Sequence, residues 1–153
     1  MQQFEANISW RRNGQAFIDN RYSRAHAWQF DGGLRVPASS SPLSVPLPMS
    51  DAGAVDPEEA LVAAVSSCHM LFFLSLAAQR GFVVDQYLDQ AVGTMGKNAE
   101  GRLALTHIAL RPALTFSGQQ PSADQLAAIH HDAHDKCYIA NSIRAEVVIE
   151  GAR

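Results

Sequence analysis

The chain has 153 residues, 47% of them hydrophobic and 18% charged, a composition that is ordinary for one soluble globular domain. Its net charge of −3 gives no electrostatic reason to expect binding to nucleic acid or to an anionic membrane. There are two cysteines, and the first residues lack the basic start and apolar core of a signal peptide. The sequence therefore predicts a single cytoplasmic domain over residues 1–153 with reduced thiols.

The N-terminal part of the sequence alternates apolar and polar residues in the way that is typical of strands. A strand is predicted over residues 3–13, and the Asn-Gly pair at its end is a hairpin turn signal. A second strand is predicted at residues 15–19 and a third at residues 21–30. The short segment 34–36 is predicted to pair with the third strand.

The third predicted strand carries ring-bearing side chains on one face. Its even positions hold Arg24 together with Tyr22, His26, Trp28 and Phe30. An arginine on an inward face needs a carboxylate partner, because an unpaired buried charge is costly. Glu58 is a candidate for that partner. The alternatives are that Arg24 lies in solvent and that Glu58 only complements the dipole of a helix start.

An apolar run is the longest element of the sequence. Residues 60–79 contain no Asp, Glu, Lys or Arg. Asp56 and Glu59 form a capping box around a proline at the first helical position, and Gly81 suits the left-handed conformation that ends a helix. These signals predict one helix over residues 57–80.

The apolar run is long enough to cross a membrane. Its serines, Cys68 and His69, together with the acidic residues at its start, favour a core helix of a soluble protein instead. A helix that is apolar on nearly every face must be buried on nearly every face, whereas one sheet covers only one side of it. The sequence therefore predicts a homodimer in which two such helices pack together.

The C-terminal half is predicted to alternate between strands and one more helix. A strand-like stretch runs to Met95, and residues 102–116 form a long extended segment that Pro112 interrupts. Ser122 opens a second helix with a capping box, and residues 143–149 form a final strand. Most strands are joined by hairpins, so the predicted class is α+β with antiparallel sheets.

Each predicted helix carries one cysteine, Cys68 in the middle of the first and Cys137 at the end of the second. A free cysteine is most often a small buried hydrophobic residue, and that is one interpretation. The other is a redox pair in which Cys68 attacks as a thiolate and Cys137 resolves the product. A thiol in the middle of a helix gains nothing from the helix N-terminus, so Cys68 needs a nearby cation to ionise at neutral pH.

The second helix also contains a histidine motif. His130 and His134 are four residues apart and Cys137 follows three residues later, so all three share one stripe of the helix. Such a stripe could bind Zn²⁺ or another transition metal, although it is not the His-Glu-x-x-His motif of metalloproteases. The alternative is an amphipathic helix whose polar positions include one core histidine.

The chain resembles the OsmC/Ohr family, the osmotically inducible and organic hydroperoxide resistance proteins. The resemblance lies in segments 56–59 (Asp-Pro-Glu-Glu), 66–69 (Ser-Ser-Cys-His) and 133–137 (Ala-His-Asp-Lys-Cys). The order of strands and helices agrees over most of the chain. Tyr138 follows the second cysteine where the hydroperoxide resistance branch usually has proline, so the chain is more similar to the OsmC-like branches. The proline- and serine-rich stretch 37–55, predicted as an ordered loop, is longer than in compact members.

The resemblance implies an OsmC-like α+β fold, with antiparallel sheets wrapped around two long central helices of an intertwined homodimer. It also implies a thiol peroxidase without metal or cofactor that reduces organic hydroperoxides, with hydrogen peroxide as a further candidate substrate and an external dithiol as reductant. Cys68 matches the peroxidatic cysteine, Cys137 the resolving cysteine and Glu58 the carboxylate of the site. Arg24 matches the N-terminal arginine by spacing, with Arg21 as the alternative.

In the mechanism that the resemblance implies, Arg24 is held by Glu58 and stabilises the Cys68 thiolate, which attacks the peroxide. Cys137 then condenses with the resulting sulfenic acid. Two alternatives come from other classes of protein. One is a metal-binding protein built on His130, His134 and Cys137, and the other is a non-catalytic dimeric module that binds an apolar ligand.

Overall fold

Residues 1–151 are described by a computed structural model. The chain divides into two compact units, Met1–Ala60 and a C-terminal unit that begins at Leu61. The prediction of a single domain over residues 1–153 stays a prediction.

Within residues 1–60, three strands form one antiparallel sheet in the order β1-β2-β3. Their bounds are β1 Ala6–Ser9, β2 His26–Phe30 and β3 Arg35–Ala38. The β2–β3 hairpin confirms the predicted pairing of the third strand with the segment that follows it. Trp28 and His26 are half-buried and Ala27, on the opposite face of β2, is buried, so the face that carries the rings is not the more buried one.

The strand predicted at residues 15–19 is wrong. The Asn-Gly turn forms, with left-handed φ values of 50° and 76° at Asn13 and Gly14, but the chain continues into further turns instead of a second strand. Phe17 stacks on Tyr22 with ring centroids 4.5 Å apart, and Trp10 packs against both rings. This aromatic packing folds the segment back on itself, and β1 pairs with β2 directly.

The stretch 37–55 is an ordered loop, as predicted. The Ser39 amide donates to Val55 O over 3.0 Å, the Val55 amide donates to Pro37 O over 3.1 Å, and the Arg24 amide donates to Met49 O over 2.7 Å. Leu43, an apolar side chain of this loop, is 99% exposed within the chain.

Helix α1 covers Pro57–Gln79, one residue short of the predicted end. Its capping box is present: the Glu59 amide donates to Asp56 Oδ1 over 2.8 Å, and the Asp56 amide is 3.4 Å from Glu59 Oε2. Gly81 has a φ of +82°, the left-handed conformation that other residues rarely adopt, which confirms its predicted role in ending the helix.

Five strands lie within residues 61–151: β4 Val83–Asp89, β5 Val92–Lys97, β6 Leu103–Leu110, β7 Pro112–Ser117 and β8 Glu146–Ile149. Strand β4 pairs with β7, and β5 pairs with β6, both antiparallel. Strand β8 pairs with β6 in parallel, which corrects the prediction of purely antiparallel sheets. The physical reason is the connection, because a helix between β7 and β8 carries the chain back to the same end of the sheet.

Helix α2 covers Ala123–Lys136 and begins at the predicted capping box, in which the Gln125 amide donates to Ser122 Oγ over 3.2 Å. Its buried stripe packs against α1 in one hydrophobic cluster, to which β4 and β7 also contribute side chains. The fully buried members of that cluster are Phe73, Ala77, Ile129 and Ala133. A second cluster joins Val65 to Ile108 and Leu110 of β6.

Within this chain, helix α1 is buried along one stripe rather than on nearly every face. The stripe consists of Val65, His69, Phe73, Leu76 and Ala77. The side chain of Leu71, on another face, is 62% exposed. By length and composition α1 is also long and apolar enough to cross a membrane, a test that core helices of soluble proteins pass as well.

Candidate functional site

The two cysteines meet at the contact between α1 and α2. Cys68 lies in the middle of α1, and Cys137 is the residue that caps the C-terminus of α2. Both are free thiols, and their side chains are in contact, close enough to share a hydrogen bond. Cys137 is only 1% exposed, whereas Cys68 is half-buried. The pair therefore has one thiol that reagents can approach and one that they can reach only through the first.

The environment of Cys137 keeps it protonated at neutral pH. Burial raises the pKa of its thiol to about 11, and the hydrogen bond with Cys68 adds to that shift. The backbone amide of Ala140, in the 3₁₀ turn Ala140–Ser142, donates to Cys137 Sγ over 3.4 Å and acts in the opposite direction. Cys137 is consequently a neutral thiol at pH 7.

Two histidines form a buried pair between α1 and α2, the helices that carry the thiols. His69 follows Cys68 on α1 and faces His130 of α2, with 3.0 Å between His69 Nε2 and His130 Nδ1. The rings are nearly parallel, at an interplanar angle of 5° with centroids 5.3 Å apart. Burial, as the first cause, lowers the pKa of each ring to about 4, so both are neutral at pH 7.

Asp89, at the end of β4, is an anionic group whose charge raises the pKa of His69. Its charge partly opposes the lowering of the His69 pKa, while His134 of α2 adds to it. The carboxylate accepts a hydrogen bond from Ser66 Oγ and one from the Arg111 amide, the latter over 2.6 Å. Sequence reasoning missed both His69 and Asp89. The only sequence signal for His69 was a lone polar ring in an apolar helix.

The folded chain does not bring together the metal site that was one interpretation of His130, His134 and Cys137. Among residues 1–151, no three His, Cys, Asp or Glu side chains come close enough to hold a metal ion together. His130 turns toward His69, and the Cys137 thiol turns toward Cys68. The stripe that the helical spacing indicated therefore contributes two separate contacts to α1.

Arg24 has polar partners other than the predicted carboxylate. Its guanidinium lies 3.8 Å above the Tyr22 ring and donates to Tyr22 O, and Nη2 donates to Asn20 O and Asn20 Oδ1 over 3.0 and 2.8 Å. The expected ion pair between Arg24 and Glu58 is not formed, and in the described part of the chain Arg24 is in no salt bridge. Neutral oxygens and an aromatic face satisfy the cation without a carboxylate.

Glu58 lies in the first turn of α1, where its charge complements the positive end of the helix dipole. Its side chain is half-buried. Arg21, the alternative arginine, is exposed, and its backbone amide donates to Asp19 Oδ1 over 3.1 Å. The roles expected for Arg24, Arg21 and Glu58 stay predictions.

The sequence of residues 50–151 matches the family model described as OsmC-like protein. The matched segment is two thirds of the chain and contains both cysteines. The chain belongs to the OsmC-like family. The α+β fold with its two helices and several sheets is that of this family. No curated protein matches the sequence.

Solved structures of OsmC-like proteins agree with this membership. An OsmC-like protein of unknown function from Vibrio cholerae is 52% identical, with 98% of this chain and 99% of that one covered and a TM-score of 0.96. An organic hydroperoxide resistance protein from Elizabethkingia anophelis is 14% identical, covers 98% and 94% of the two chains and has a TM-score of 0.71. That of Bacillus subtilis is 16% identical over 96% and 97%, with a TM-score of 0.63. The last two similarities concern the fold alone.

Proposed function

We propose that this OsmC-like protein is a cysteine-based peroxidase that reduces organic hydroperoxides. The observation that carries the proposal is the pair of free thiols in contact, one half-exposed on α1 and one buried at the end of α2. A pair of thiols in contact can pass between a dithiol and a disulfide with little movement of the backbone.

The reaction begins at Cys68, because it is the accessible thiol of the pair. Its thiolate attacks one oxygen of the peroxide, an S–O bond forms, and the O–O bond breaks. The second oxygen leaves with a proton as an alcohol. Cys68 is thereby oxidised to a sulfenic acid, and the peroxide is reduced by two electrons.

Cys137 completes the cycle by condensing with the sulfenic acid. Its sulfur forms an S–S bond with Cys68, and the sulfenic oxygen leaves as water together with the proton of the Cys137 thiol. The first step itself favours this second step. Once Cys68 is a sulfenic acid its thiolate is gone, so the hydrogen bond and the charge that help raise the Cys137 pKa are weakened. An external dithiol then reduces the disulfide by thiol–disulfide exchange.

The proposed substrate is apolar because the surroundings of Cys68 on α1 are apolar. Met70, Leu71 and Phe72 lie two to four residues after it, and Phe72 packs edge-on against Tyr138 with centroids 5.1 Å apart. Such surfaces favour an organic hydroperoxide over hydrogen peroxide. Two of the related structures carry the name organic hydroperoxide resistance protein, which supports the same substrate class.

Arg24 and Glu58 remain in the proposal as the residues that stabilise the Cys68 thiolate and the departing oxygen. Their support is the family resemblance, since the observed partners of Arg24 are Asn20 and Tyr22. Arg24→Lys is expected to lower kcat/KM by at least tenfold, because lysine keeps the charge but loses the planar fork. Arg21→Lys is the comparison variant: wild-type kcat/KM is expected there if Arg24 is the active-site arginine, whereas a loss in Arg21→Lys with none in Arg24→Lys assigns the role to Arg21.

We also propose that the protein works as a homodimer. The support is the unburied apolar surface of α1, on which Leu71 is 62% exposed within one chain. The cytoplasm as its location and the absence of nucleic acid and membrane partners stay predictions from composition.

Consumption of cumene hydroperoxide in the presence of dithiothreitol tests the function. Wild-type protein is expected to consume it faster than hydrogen peroxide, and Cys68→Ser is expected to abolish the reaction. In a reaction without dithiothreitol, Cys137→Ser retains one turnover and leaves a Cys68 sulfenic acid that dimedone traps and mass spectrometry detects. Unchanged consumption by Cys68→Ser overturns the proposal. A wild-type Cys68 that no hydroperoxide oxidises leaves the non-catalytic module that binds an apolar ligand as the better description.

A further inference from the structure

The buried histidine pair has no part in the chemistry proposed above, although it joins the two helices that carry the thiols. His69 is 1% exposed and His130 is 3% exposed. Beyond their mutual bond, His69 Nδ1 and His130 Nε2 have no hydrogen-bond partner among the described residues. Each ring therefore has the other ring as its one hydrogen-bond partner among the described residues. Burying a polar nitrogen without a partner costs free energy, and apolar residues of the same size would avoid that cost.

The pair connects the two helices that carry the cysteines. His69 is adjacent to Cys68, and His130 lies seven residues before Cys137, about two turns of α2. Within residues 57–136, two polar side-chain contacts join residues 57–80 to α2. They are the His69–His130 hydrogen bond and the ion pair of Arg80 with Asp132. The ion pair is partly exposed and lies beyond the end of α1, so His69–His130 is the polar link nearest the thiols.

Hydrophobic packing alone specifies the register of these helices weakly. Phe73, Ala77, Ile129 and Ala133 provide area but few directional contacts. A single directional bond in a core selects one arrangement, because any other leaves two buried polar rings unpaired. The Phe73 ring, 4.4 Å from His130, holds the orientation of that imidazole.

We propose that the His69–His130 bond is a positioning device that fixes α1 against α2 so that the Cys68 and Cys137 thiols stay in contact for disulfide closure. The inference rests on the proposed function only in that the two thiols close to a disulfide. Closure requires Cα atoms within about 7 Å, whereas a slip of one helical turn is about 5.4 Å. His69 and His130 are positioning residues, since they act through the cysteines.

The variants separate the bond from the bulk of the ring. His130→Leu keeps an apolar side chain of similar size and removes the bond. His130→Asn retains a polar group at the position of Nδ1 and so can restore it. His131→Leu, at an exposed histidine on the same helix, is the matched control. Ser122→Ala weakens the cap of α2 without touching the pair and controls for lower stability.

Diamide drives closure without any peroxide: it takes two electrons and two protons from Cys68 and Cys137, and the S–S bond forms as diamide becomes a hydrazine. The rate is measured on each folded, reduced variant by the mass shift after alkylation of remaining thiols. Loss of a bond of ordinary net strength predicts closure about three- to tenfold slower in His130→Leu. His130→Asn is expected to recover most of this loss, and His131→Leu and Ser122→Ala to close at the wild-type rate.

Wild-type closure by His130→Leu overturns the inference, and so does equal slowing by Ser122→Ala or a failure of His130→Asn to close faster than His130→Leu. If His130→Leu does not fold, His69→Leu and His69→Gln give the same comparison, because glutamine retains a polar group at the position of Nε2. The function and the inference fail separately. A wild-type protein that closes with diamide in the expected order of variants but ignores hydroperoxides supports the positioning role and overturns the peroxidase.

Discussion

Helix α2 has one buried stripe and one polar face, whereas helix α1 has one buried stripe and apolar side chains on faces that its own chain leaves exposed. In α2 the buried residues are Leu126, Ile129, His130 and Ala133, and the exposed positions are mostly polar. In α1 the buried stripe is of similar width, yet Leu71 and Ala78 outside it are exposed.

The comparison shows that one chain buries the apolar face of α2 but leaves apolar faces of α1 exposed. An amphipathic helix such as α2 needs a single covering surface, and the cluster with α1, β4 and β7 provides it. A helix without a polar face leaves apolar surface in water. Burying that surface against another one is favourable by a free energy of about 25 cal/mol per Å². Our proposal of a homodimer assigns the remaining faces of α1 to a second copy of the chain.

The largest expected effect is on assembly. Leu71→Glu should convert the proposed homodimer to a monomer at micromolar concentration, because each protomer would bury an unpaired carboxylate at the interface. Sedimentation velocity measures the change. Ala128→Glu, at an exposed position of α2, is the matched control and should leave the dimer intact. A dimer that survives Leu71→Glu places the interface elsewhere, and a wild-type monomer removes it.

The next largest effect concerns the shared core. Phe73→Ala should lower the free energy of unfolding by about 3–5 kcal/mol, since a fully buried ring leaves a cavity between α1 and α2. Urea denaturation measures this loss. For comparison, Leu71→Ala should cost little at dilutions where the protein is monomeric and more at concentrations where it is dimeric. A cost for Leu71→Ala that does not depend on concentration would mean that its own chain buries it.

Acid should destabilise the core through the histidine pair. Burial lowers the pKa of His69 and of His130 from 6.5 to about 4, so the unfolded chain takes up protons first. Stability is therefore fully retained above pH 6.5 and is lost as the pH falls from 6.5 toward 4, by roughly 3 kcal/mol for the first ring. Thermal unfolding at stepped pH measures it. His130→Asn should flatten this dependence, and an unchanged slope in that variant would contradict the assignment.

The smallest expected effect compares the two helix starts. Ser122→Ala and Asp56→Ala each remove the acceptor of a capping box and should cost about 1 kcal/mol. Asp56 is buried and Ser122 is exposed, so we expect the cost at α1 to be the larger of the two. Chemical denaturation resolves the difference, and equal costs would show that burial of the cap adds nothing.

The sequence by itself determined both helices and most strands of the C-terminal half. Capping boxes, a C-terminal glycine and apolar periodicity act over a few residues, so α1 and α2 begin where Asp56 and Ser122 predict. Local signals failed at residues 15–19, where packing of Phe17 on Tyr22 replaced the expected strand. They failed also for β8, whose parallel partner is chosen by a long connection that no short pattern encodes.

The contacts between polar side chains could be read from the tertiary structure alone. Sequence spacing placed His130, His134 and Cys137 on one stripe, for which a metal site was one interpretation. In the folded chain His130 pairs with His69 and Cys137 contacts Cys68. The contact of two thiols 69 positions apart depends on how the two helices pack. Arg24 donates its hydrogen bonds to neutral oxygens and not to the expected carboxylate. A sequence records which residues each helix presents, whereas the partners depend on the angle and register at which the helices pack.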